Sequence, residues 1–397
     1  MVAALIGLRL PESVPLAAIG DGGEHALVRR LVAAIRATEI DDIHISGCVT
    51  AGAVVVPTAL VTAARVQADG DALLAGIAAG YRTAIAFAGA FGGASILYRG
   101  IWPTYLAAPV AAAATAASIR GLDAAGRARA LRLAIARTNS VLDRSAPRWL
   151  ALGCAAVDGL VAADAAAAGL DAGDTAVQRW AEQAGVSLDA TVLERAVALD
   201  TIDCKTFPTS RQGYAAIETF RSLRRVHPDR PVARIAVAVP MQYLAMVGST
   251  GRPRSRIESM TAVAWQMALA EHAPDALYDV ARHNIPQDPA LDGFAARVTV
   301  AADARLTELY PEFWAGKVRI EYADGGSIEA EDLSPAGSKA LGWPELIAKA
   351  GRLASANGIA AERIARLLAQ ARVAGGSQPV ALRDWIEAAD LEAAPPL

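Results

Sequence analysis

The first half of the chain places apolar residues at helical spacing. The stretches HALVRRLVAAIRATE (25–39) and AAGRARALRLAIART (124–138) bring apolar residues to one side of a helical turn, which predicts amphipathic helices. PTALVTAARVQA (57–68) predicts a helix with a proline at its start. The segment 150–168 predicts a helix that is buried on most sides, and no part of this half alternates as a strand does.

The pattern changes near residue 200, where apolar and polar residues begin to alternate. VARIAVAVP (232–240), ARVTVAA (296–302) and KVRIEYADGG (317–326) predict strands, and the last ends in a turn. Helical spacing returns between these strands at 211–223 and 257–269. This second region therefore mixes helices and strands.

The order of these elements predicts a fold that is mainly α with an α+β insert. Three more helical patterns follow Pro335, at 344–353, 360–373 and 381–391. We predict a large all-helical domain made of residues 1–201 and 342–397, and a smaller α/β lid domain made of residues 202–341. Clefts between two such domains are favoured places for small-molecule sites.

The composition favours closely packed helices. Hydrophobic residues make up 54% of the chain and charged residues 20%, and alanine dominates the apolar fraction. Three segments without charged side chains, at 43–64, 83–98 and 101–119, are rich in Ala, Gly, Thr and Ser. We expect buried helices there rather than membrane spans, which are normally more apolar. No signal peptide is expected.

The net charge and the number and spacing of the cysteines argue against several kinds of partner and site. A net charge of −3 with scattered basic residues predicts no nucleic-acid partner and no anionic membrane partner. Cys48, Cys154 and Cys204 are widely spaced and odd in number, which argues against a disulfide framework and a zinc site. We therefore expect a cytoplasmic protein without a metal site.

The stretch DDIHISGCVTAGAVVVP (41–57) sets two carboxylates and a histidine before an apolar run. It resembles the MmgE/PrpD family segment that reads DD-x-H, then HP-x-G-A-x-x-x-P. Four further stretches resemble that family's motifs in the same order: GIWPTYLAAPVAAAATAASIRGLD (100–123), APRWLALGCAAVDGLVAADAAAAGL (146–170), DCKTFPTSRQGYAAIETF (203–220) and ADARLTELYPEFWAGKVRIEYADGG (302–326).

The resemblance implies a fold and a type of chemistry. Family members such as 2-methylcitrate dehydratase, cis-aconitate decarboxylase and iminodisuccinate epimerase combine a helical domain with an α/β lid, usually in a homodimer. Their active site lies between the domains. They act at a carbon next to a carboxylate, on a small-molecule substrate and without a metal or organic cofactor.

The chain departs from the family pattern at four positions. Family histidines correspond here to Val49, Trp102 and Tyr214, and a family lysine corresponds to Arg148. Imidazoles carry protons near neutral pH and donate to carboxylates, whereas valine and tryptophan side chains cannot carry protons. We therefore predict a substrate with fewer carboxylates and more hydrocarbon than citrate-like acids.

Lys205 is the strongest catalytic candidate. It is the lysine of the family's K-x-[YF]-P motif, and only four of the chain's 38 Lys and Arg residues are lysines. Burial can lower the pKa of a lysine towards neutrality, which arginine does not allow. The alternative is a solvated loop lysine.

Four other residues complete the catalytic candidates. Arg148 would hold a carboxylate or an enolate oxygen, or is a structural arginine at a helix start. His44 would carry a proton, or is a hydrogen-bonded structural residue. Asp42 would orient His44 or Lys205, or caps the following segment. Tyr214 would act as a weak acid in place of a histidine, or is an aromatic core contact.

The substrate-binding candidates lie in the same motifs. Trp102 is expected to shape the pocket wall, and Thr104 and Ser210 to offer hydroxyl donors. The full set is Asp41, Val49, Trp102, Thr104, Ser210 and Arg211.

Three functions fit these residues. The first is a PrpD-like lyase or isomerase repurposed for a more apolar carbonyl or carboxylate substrate, by dehydration, isomerisation or cyclisation, as in a biosynthetic cyclase. The second is an ordinary 2-methylcitrate dehydratase-like enzyme acting on a tricarboxylate. The third is a catalytically inactive homologue that binds a ligand or a partner.

Overall fold

A computed structural model describes residues 1–13, 15, 19, 23–138, 147–282, 288–333 and 341–389 of the chain. In chain order its α-helices are α1 (Val2–Gly7), α2 (Glu24–Ala37), α3 (Gly52–Arg65), α4 (Gly70–Ala90), α5 (Pro103–Ile119), α6 (Ala124–Ile135), α7 (Pro147–Ala167), α8 (Ala176–Ala184), α9 (Ala190–Leu193), α10 (Arg211–Val226), α11 (Leu244–Val247), α12 (Arg256–Thr261), α13 (Val263–His272), α14 (Pro289–Ala295), α15 (Ala304–Leu309), α16 (Trp343–Ala356), α17 (Ala361–Arg372) and α18 (Leu382–Ala389). The strands are β1 (Asp42–His44), β2 (Ile202–Cys204), β3 (Val232–Val239), β4 (Val298–Ala302), β5 (Gly316–Tyr322) and β6 (Ser327–Asp332). Short 3₁₀ segments lie at Pro11–Ser13, Gly93–Arg99, Leu199–Thr201, Met241–Tyr243 and Pro274–Tyr278.

The chain forms two compact units, and the first uses both ends of the sequence. Unit 1 consists of Met1–Ile202 with Ile359–Leu397, and unit 2 of Asp203–Gly358. This places α16 in unit 2, whereas the sequence predicts that the helical domain resumes at residue 342. The side chain of Asn357, just after α16, holds this helix to unit 2: its Oδ1 accepts from the Val280 N–H and its Nδ2 donates to the Tyr278 carbonyl.

Unit 1 is built around α5, which is buried along almost its whole length. Helices α3, α4, α6 and α7 pack against it. Alanine is the most frequent residue of this helix, so neighbouring backbones approach closely at little cost in helix propensity. The prediction of a buried helix at 101–119 is confirmed.

Two glycines of α7 lie where this helix meets its neighbours. A Cβ atom at Gly159 would overlap the Pro109 carbonyl of α5, and a Cβ atom at Gly153 would overlap the Arg29 carbonyl of α2. These two residues are the glycines of the G-x-AA-x-x-G motif. In this chain the motif therefore serves helix packing.

Unit 2 contains a four-stranded mixed sheet in the order β4-β3-β5-β6. Strand β3 runs parallel to β4, with Ile235 opposite Val298, and antiparallel to β5, with Ile235 opposite Ile320. Strand β6 pairs antiparallel with β5. Helix α10 packs against β5 and β6, which explains why alternate β5 residues are buried.

The long periodic segments form the predicted elements, and several boundaries differ. Helix α3 begins at Gly52, so Pro57 lies inside the helix and not at its start. The predicted helix at 257–269 is divided at Ala262, whose backbone is extended. Strands β1, β2 and β6 were not predicted: β1 and β2 have three residues each, too few for a period to show, and β6 follows the predicted turn directly. The last predicted helix, at 381–391, extends past the described residues.

Two described helices, α4 and α7, are long and apolar enough to cross a bilayer by length and composition alone. Core helices of soluble proteins pass the same test, so these two are weak evidence for a membrane and are consistent with a soluble chain.

Candidate active site

The polar turn of unit 1 is built around the N-terminus of α3. Both carboxylate oxygens of Asp42 accept from the backbone N–H of Gly52, at 3.1 and 3.3 Å. A Cβ atom at position 52 would lie 2.5 Å from Asp42 Oδ1 and would overlap the Tyr81 hydroxyl, so any larger residue would displace these two side chains. Asp42 therefore caps α3, one of the two roles that the sequence leaves open.

His44 closes the turn that follows β1. Its Nδ1 accepts from the Gly47 N–H at 3.1 Å, and its backbone N–H donates to the Val49 carbonyl at 2.8 Å. Because Nδ1 accepts, the neutral ring carries its proton on Nε2. Burial lowers the pKa of His44, so the ring is neutral at pH 7. His44 thus holds the turn through Nδ1 and keeps a neutral Nε2–H donor.

Val49 and Thr104 also belong to this turn. Val49 is a member of the unit 1 hydrophobic core and is 1% exposed. Thr104 Oγ1, at the start of α5, accepts from the Thr50 N–H at 3.1 Å and lies 3.4 Å from the Cys48 carbonyl. Thr104 therefore holds the turn to α5, and the Val49 side chain of this turn is apolar and buried.

Charged side chains of unit 1 gather around Glu39. Its Oε1 lies 2.8 Å from Arg36 Nη1 and 3.5 Å from Arg148 Nη2, so one carboxylate oxygen is shared by two guanidiniums. Asp41 Oδ2 lies 3.5 Å from Arg36 Nε. Glu39 has a φ of 55°, the left-handed conformation with which helices commonly end, and it follows the C-cap residue Thr38 of α2.

Tyr105 adds a phenol to this cluster. Tyr105 is 2% exposed, and the charges of Arg36 and Arg148 act on its hydroxyl. Burial raises the pKa of Tyr105 to about 12, although the two guanidiniums oppose this. No group in the described parts of the chain hydrogen-bonds its hydroxyl. At neutral pH Tyr105 is therefore a protonated donor beside two cations.

Arg36 stays charged in this environment. Burial lowers the pKa of Arg36, but the carboxylates of Asp41 and Glu39 outweigh that effect, so the pKa rises above its ordinary value. The cluster is thus a set of charges that neutralise one another, which is the condition for burying them.

Arg148, at the start of α7, lies between two indoles. Its guanidinium carbon is 5.7 Å from the Trp102 ring centroid and 5.2 Å from that of Trp149. The rings of Trp102 and Tyr105 meet edge to face at 6.3 Å. Planar stacking of this kind suits a guanidinium and leaves its edge directed at anionic oxygens.

The sequence pattern did not single out Arg36, Glu39 or Tyr105. A signal was present for Arg36: it falls on the buried side of the periodic helix 25–39, where arginine is rare without a partner. Glu39 and Tyr105 had no comparable signal, because their role depends on a backbone turn and on α5 packing.

In unit 2, Lys205 follows β2 and is 3% exposed. This burial contradicts the alternative of a solvated loop lysine. Asp203 and Arg211 form a buried ion pair in the same segment. Burial raises the pKa of Asp203, and the cations Arg211 and Lys205 oppose this. A buried lysine thus lies near a carboxylate and a guanidinium.

Tyr214, on the first turn of α10, stacks on Phe207 with ring centroids 5.1 Å apart. Its hydroxyl lies 2.8 Å from Thr206 Oγ1, and the Arg211 guanidinium carbon lies 4.7 Å from its ring centroid. Burial, and next Glu218, raise the pKa of Tyr214 to about 12. Tyr214 is therefore a neutral donor at pH 7 and cannot shuttle protons as an imidazole does.

The N-terminus of α10 holds a further donor. Ser210 is the N-cap residue, but its Oγ makes no cap bond, is buried, and has no partner within the described ranges. Gln266 Nε2 donates to Thr209 Oγ1 at 2.9 Å and to the Met260 carbonyl at 2.8 Å, which fixes the segment before the helix. Helix N-termini favour anions, so Ser210 and Arg211 suit a carboxylate.

Within the described residues no group of three or more His, Cys, Asp or Glu side chains could hold a metal ion. Each unit instead offers cations, neutral phenol or hydroxyl donors, and a carboxylate. Such sets can bind a carboxylate, stabilise an enolate oxygen and transfer a proton.

The buried guanidiniums, the buried lysine and the neutral phenols of the two units are groups that can bind the carboxylate of an organic acid. The sequence profile of the MmgE/PrpD N-terminal domain matches residues 31–190, and that of the MmgE/PrpD C-terminal domain matches residues 207–372. The chain belongs to the MmgE/PrpD family, as its motifs predicted. Membership indicates a dehydratase- or lyase-like enzyme. No curated protein matches the chain.

Proposed function

We propose that this protein is a PrpD-type lyase or isomerase acting on a carbonyl or carboxylate compound that is less charged and more apolar than a tricarboxylate. The proposal rests on the family resemblance, in which family imidazoles correspond to Val49, buried in the core of unit 1, and to Trp102, whose ring centroid lies 5.7 Å from the Arg148 guanidinium carbon. Neither side chain carries a proton or donates to a carboxylate, so a site with this correspondence has fewer partners for additional carboxylates.

The proposed chemistry begins with removal of a proton next to a carbonyl group. Lys205 takes the proton from carbon, and the electron pair moves to the carbonyl oxygen as an enolate. The hydroxyls of Ser210 and Tyr214, in the same unit, are the donors for that oxygen. For Arg148, in unit 1, we propose a carboxylate or an enolate oxygen as the ligand. The Lys205 ammonium then returns the proton: to a β-hydroxyl that leaves as water, to another carbon of the enolate, or to the oxygen of a second carbonyl that the enolate attacks to close a ring.

The other site residues have supporting parts in this proposal. Tyr214 and Ser210 supply neutral donors, and Arg211, paired with Asp203, supplies positive charge for a carboxylate. Asp42 and His44 act through position: they hold the turn that carries Val49. Asp41 acts in the same way through Arg36.

An ordinary 2-methylcitrate dehydratase-like activity would need histidines elsewhere to replace the missing imidazoles. Of the other histidines, His227 packs edge-on against Tyr322 and His272 against Phe294, as aromatic contacts do. An inactive ligand-binding homologue is the remaining candidate, because loss of imidazoles fits it equally well. A cytoplasmic homodimer without a cofactor is part of the proposal.

The test is proton NMR of the protein in D₂O. Loss of a C–H signal, or product signals, should be absent with 2-methylcitrate, cis-aconitate and iminodisuccinate, and present with a member of a panel of β-hydroxy monocarboxylates and β-hydroxy ketones. Turnover of any of the three family acids would overturn the proposed specificity.

Lys205→Ala should reduce deuterium exchange by about 10²-fold or more, the usual contribution of a general base. Lys349→Ala, a lysine of α16 outside the candidate site, is the matched control and should keep full activity. Full activity of Lys205→Ala would refute the assigned base, and exchange by neither protein with any panel member would favour the inactive binding homologue.

A further inference from the structure

Arg282 is a buried arginine to which the proposed chemistry assigns no role. It is 5% exposed and follows the 3₁₀ segment Pro274–Tyr278. Its φ is 40°, in the left-handed region that residues with a Cβ atom rarely adopt. Burial lowers the pKa of Arg282 to about 9. A buried cation in a strained backbone conformation calls for a structural or functional cause.

The Arg282 guanidinium joins separate segments of unit 2. Nη2 donates to the Pro208 carbonyl at 3.3 Å and to the Leu277 carbonyl at 3.1 Å. Nη1 donates to the Ser259 carbonyl at 2.7 Å and lies 3.2 Å from the Ser259 hydroxyl. Nε donates to the Asp279 carbonyl at 3.2 Å. One side chain thus connects the Lys205 segment to α12 and to the 3₁₀ segment.

Of these hydrogen bonds, the one to the Pro208 carbonyl involves the segment that carries Lys205. Pro208 lies between Lys205 and Ser210, in an irregular stretch without a β ladder or a helix to hold its backbone. The residues after Pro208 are fixed to α12 and α13 by Gln266 and by the Ser210 N–H, which donates to the Met260 carbonyl at 3.0 Å. Next to Lys205, Thr206 is bonded to the Tyr214 hydroxyl. Arg282 holds the middle of the segment at the Pro208 carbonyl, with a charge-assisted bond of a kind that is stronger than a neutral one.

From this geometry we infer that Arg282 is a positioning residue: it holds the 205–210 segment so that Lys205 stays buried at one place in unit 2. The role rests on the proposed function only in that Lys205 is taken as the reacting group. The placement itself can be measured without a substrate.

The chain has few lysines, so each can be followed separately by mass spectrometry after brief acetylation. In the wild type, Lys205 should react far more slowly than Lys317 and Lys349, because it is buried and they are less so. In Arg282→Met we expect Lys205 acetylation to rise at least about 10-fold relative to those two lysines, the size expected for loss of a charged hydrogen bond.

Arg224 offers a matched control within the same unit. Arg282 donates to four backbone carbonyls, and Arg224 donates to three, those of His227, Pro228 and Arg230, but to none in the 205–210 segment. Arg224 also pairs with Glu271. Arg224→Met should therefore lower the stability of unit 2 without changing Lys205 acetylation. An equal rise in both variants would mean general loosening, and no rise in folded Arg282→Met would mean that other contacts hold the segment. Either result overturns the inference.

A second variant covers the case in which Arg282→Met does not fold. Glycine adopts a φ of 40° without strain, so Arg282→Gly removes the side chain while relieving the backbone. Added guanidinium ion should then slow Lys205 acetylation in Arg282→Gly and leave the wild type unchanged. Absence of this rescue contradicts the inference. If the acetylation results are as expected while no panel compound turns over, the positioning role stands and the proposed reaction fails.

Discussion

Gly159→Ala is a direct test of how unit 1 is packed. The added Cβ atom would overlap the Pro109 carbonyl and lie 2.6 Å from the Ala112 Cβ atom and 2.9 Å from the Ala113 nitrogen, inside the 3.0 Å limit that real Cβ atoms keep. Overpacking of this kind costs ~1–3 kcal/mol, and here the contact is with backbone that cannot rotate away. Alanine offsets about 1 kcal/mol through its helix propensity.

With the overpacking cost at its upper end, the net loss in the free energy of unfolding is about 2 kcal/mol after the gain in helix propensity. This corresponds to a fall in melting temperature of about 4–8 °C for a unit of this size. Urea and thermal unfolding followed by circular dichroism measure it. The control is Gly351→Ala in α16, where a Cβ atom would meet open space. It should gain about 0.5–1 kcal/mol. If both variants are as stable as the wild type, or Gly159→Ala is more stable, α7 does not meet α5 as described.

Three further predictions concern the candidate site. Tyr105→Phe removes a hydroxyl without a hydrogen-bond partner in the described residues, so thermal unfolding should show no loss of stability, whereas Tyr214→Phe loses its bond to Thr206 and should cost about 1 kcal/mol. Asp42→Ala removes the cap of α3 and should cost ~0.5–2 kcal/mol in urea unfolding. Because burial lowers the pKa of His44, the unfolded chain binds more protons below about pH 6.5, so stability should fall as the pH is lowered through that value, and His44→Gln should weaken this dependence.

Each of these predictions has a clear opposite result. A marked loss of stability in Tyr105→Phe would reveal a partner for its hydroxyl. Equal stability of Asp42→Ala and the wild type would show that the α3 N-terminus is satisfied by solvent. An unchanged pH dependence in His44→Gln would assign the acid sensitivity to carboxylates, which is tested by extending the titration below pH 5.

Much of the fold could be predicted because its signals are local. Helices such as α2 and α6, and the strands β3 and β5, show their period within their own residues, and no later contact is needed to reveal it. The predicted helix boundaries were wrong where tertiary contacts outweighed the local helix preference of the residues. Pro57 lies inside α3 because the Asp42 cap starts the helix five residues earlier, at Gly52.

The site could be predicted only in part. The family motifs identified Lys205, Arg148 and the 41–57 turn, and residue identities in a motif are visible in the sequence. Whether Asp42 orients a catalytic group or caps a helix was undecidable from the motif, since a carboxylate serves both purposes; the hydrogen bond to Gly52 shows the cap. His44 is a similar case, in which the Gly47 N–H decides which ring nitrogen carries the proton.

The sequence by itself determined the family, the succession of helices and strands, and the types of side chain available for chemistry, because periodicity and motif spacing are properties of neighbouring residues. Only the tertiary structure decided the partners. Glu39 reaches Arg148 across 109 positions, and Arg282 reaches Pro208 across 74. Charge neutralisation in a buried cluster depends on distances between residues that are remote in the chain, and folding alone brings such residues together.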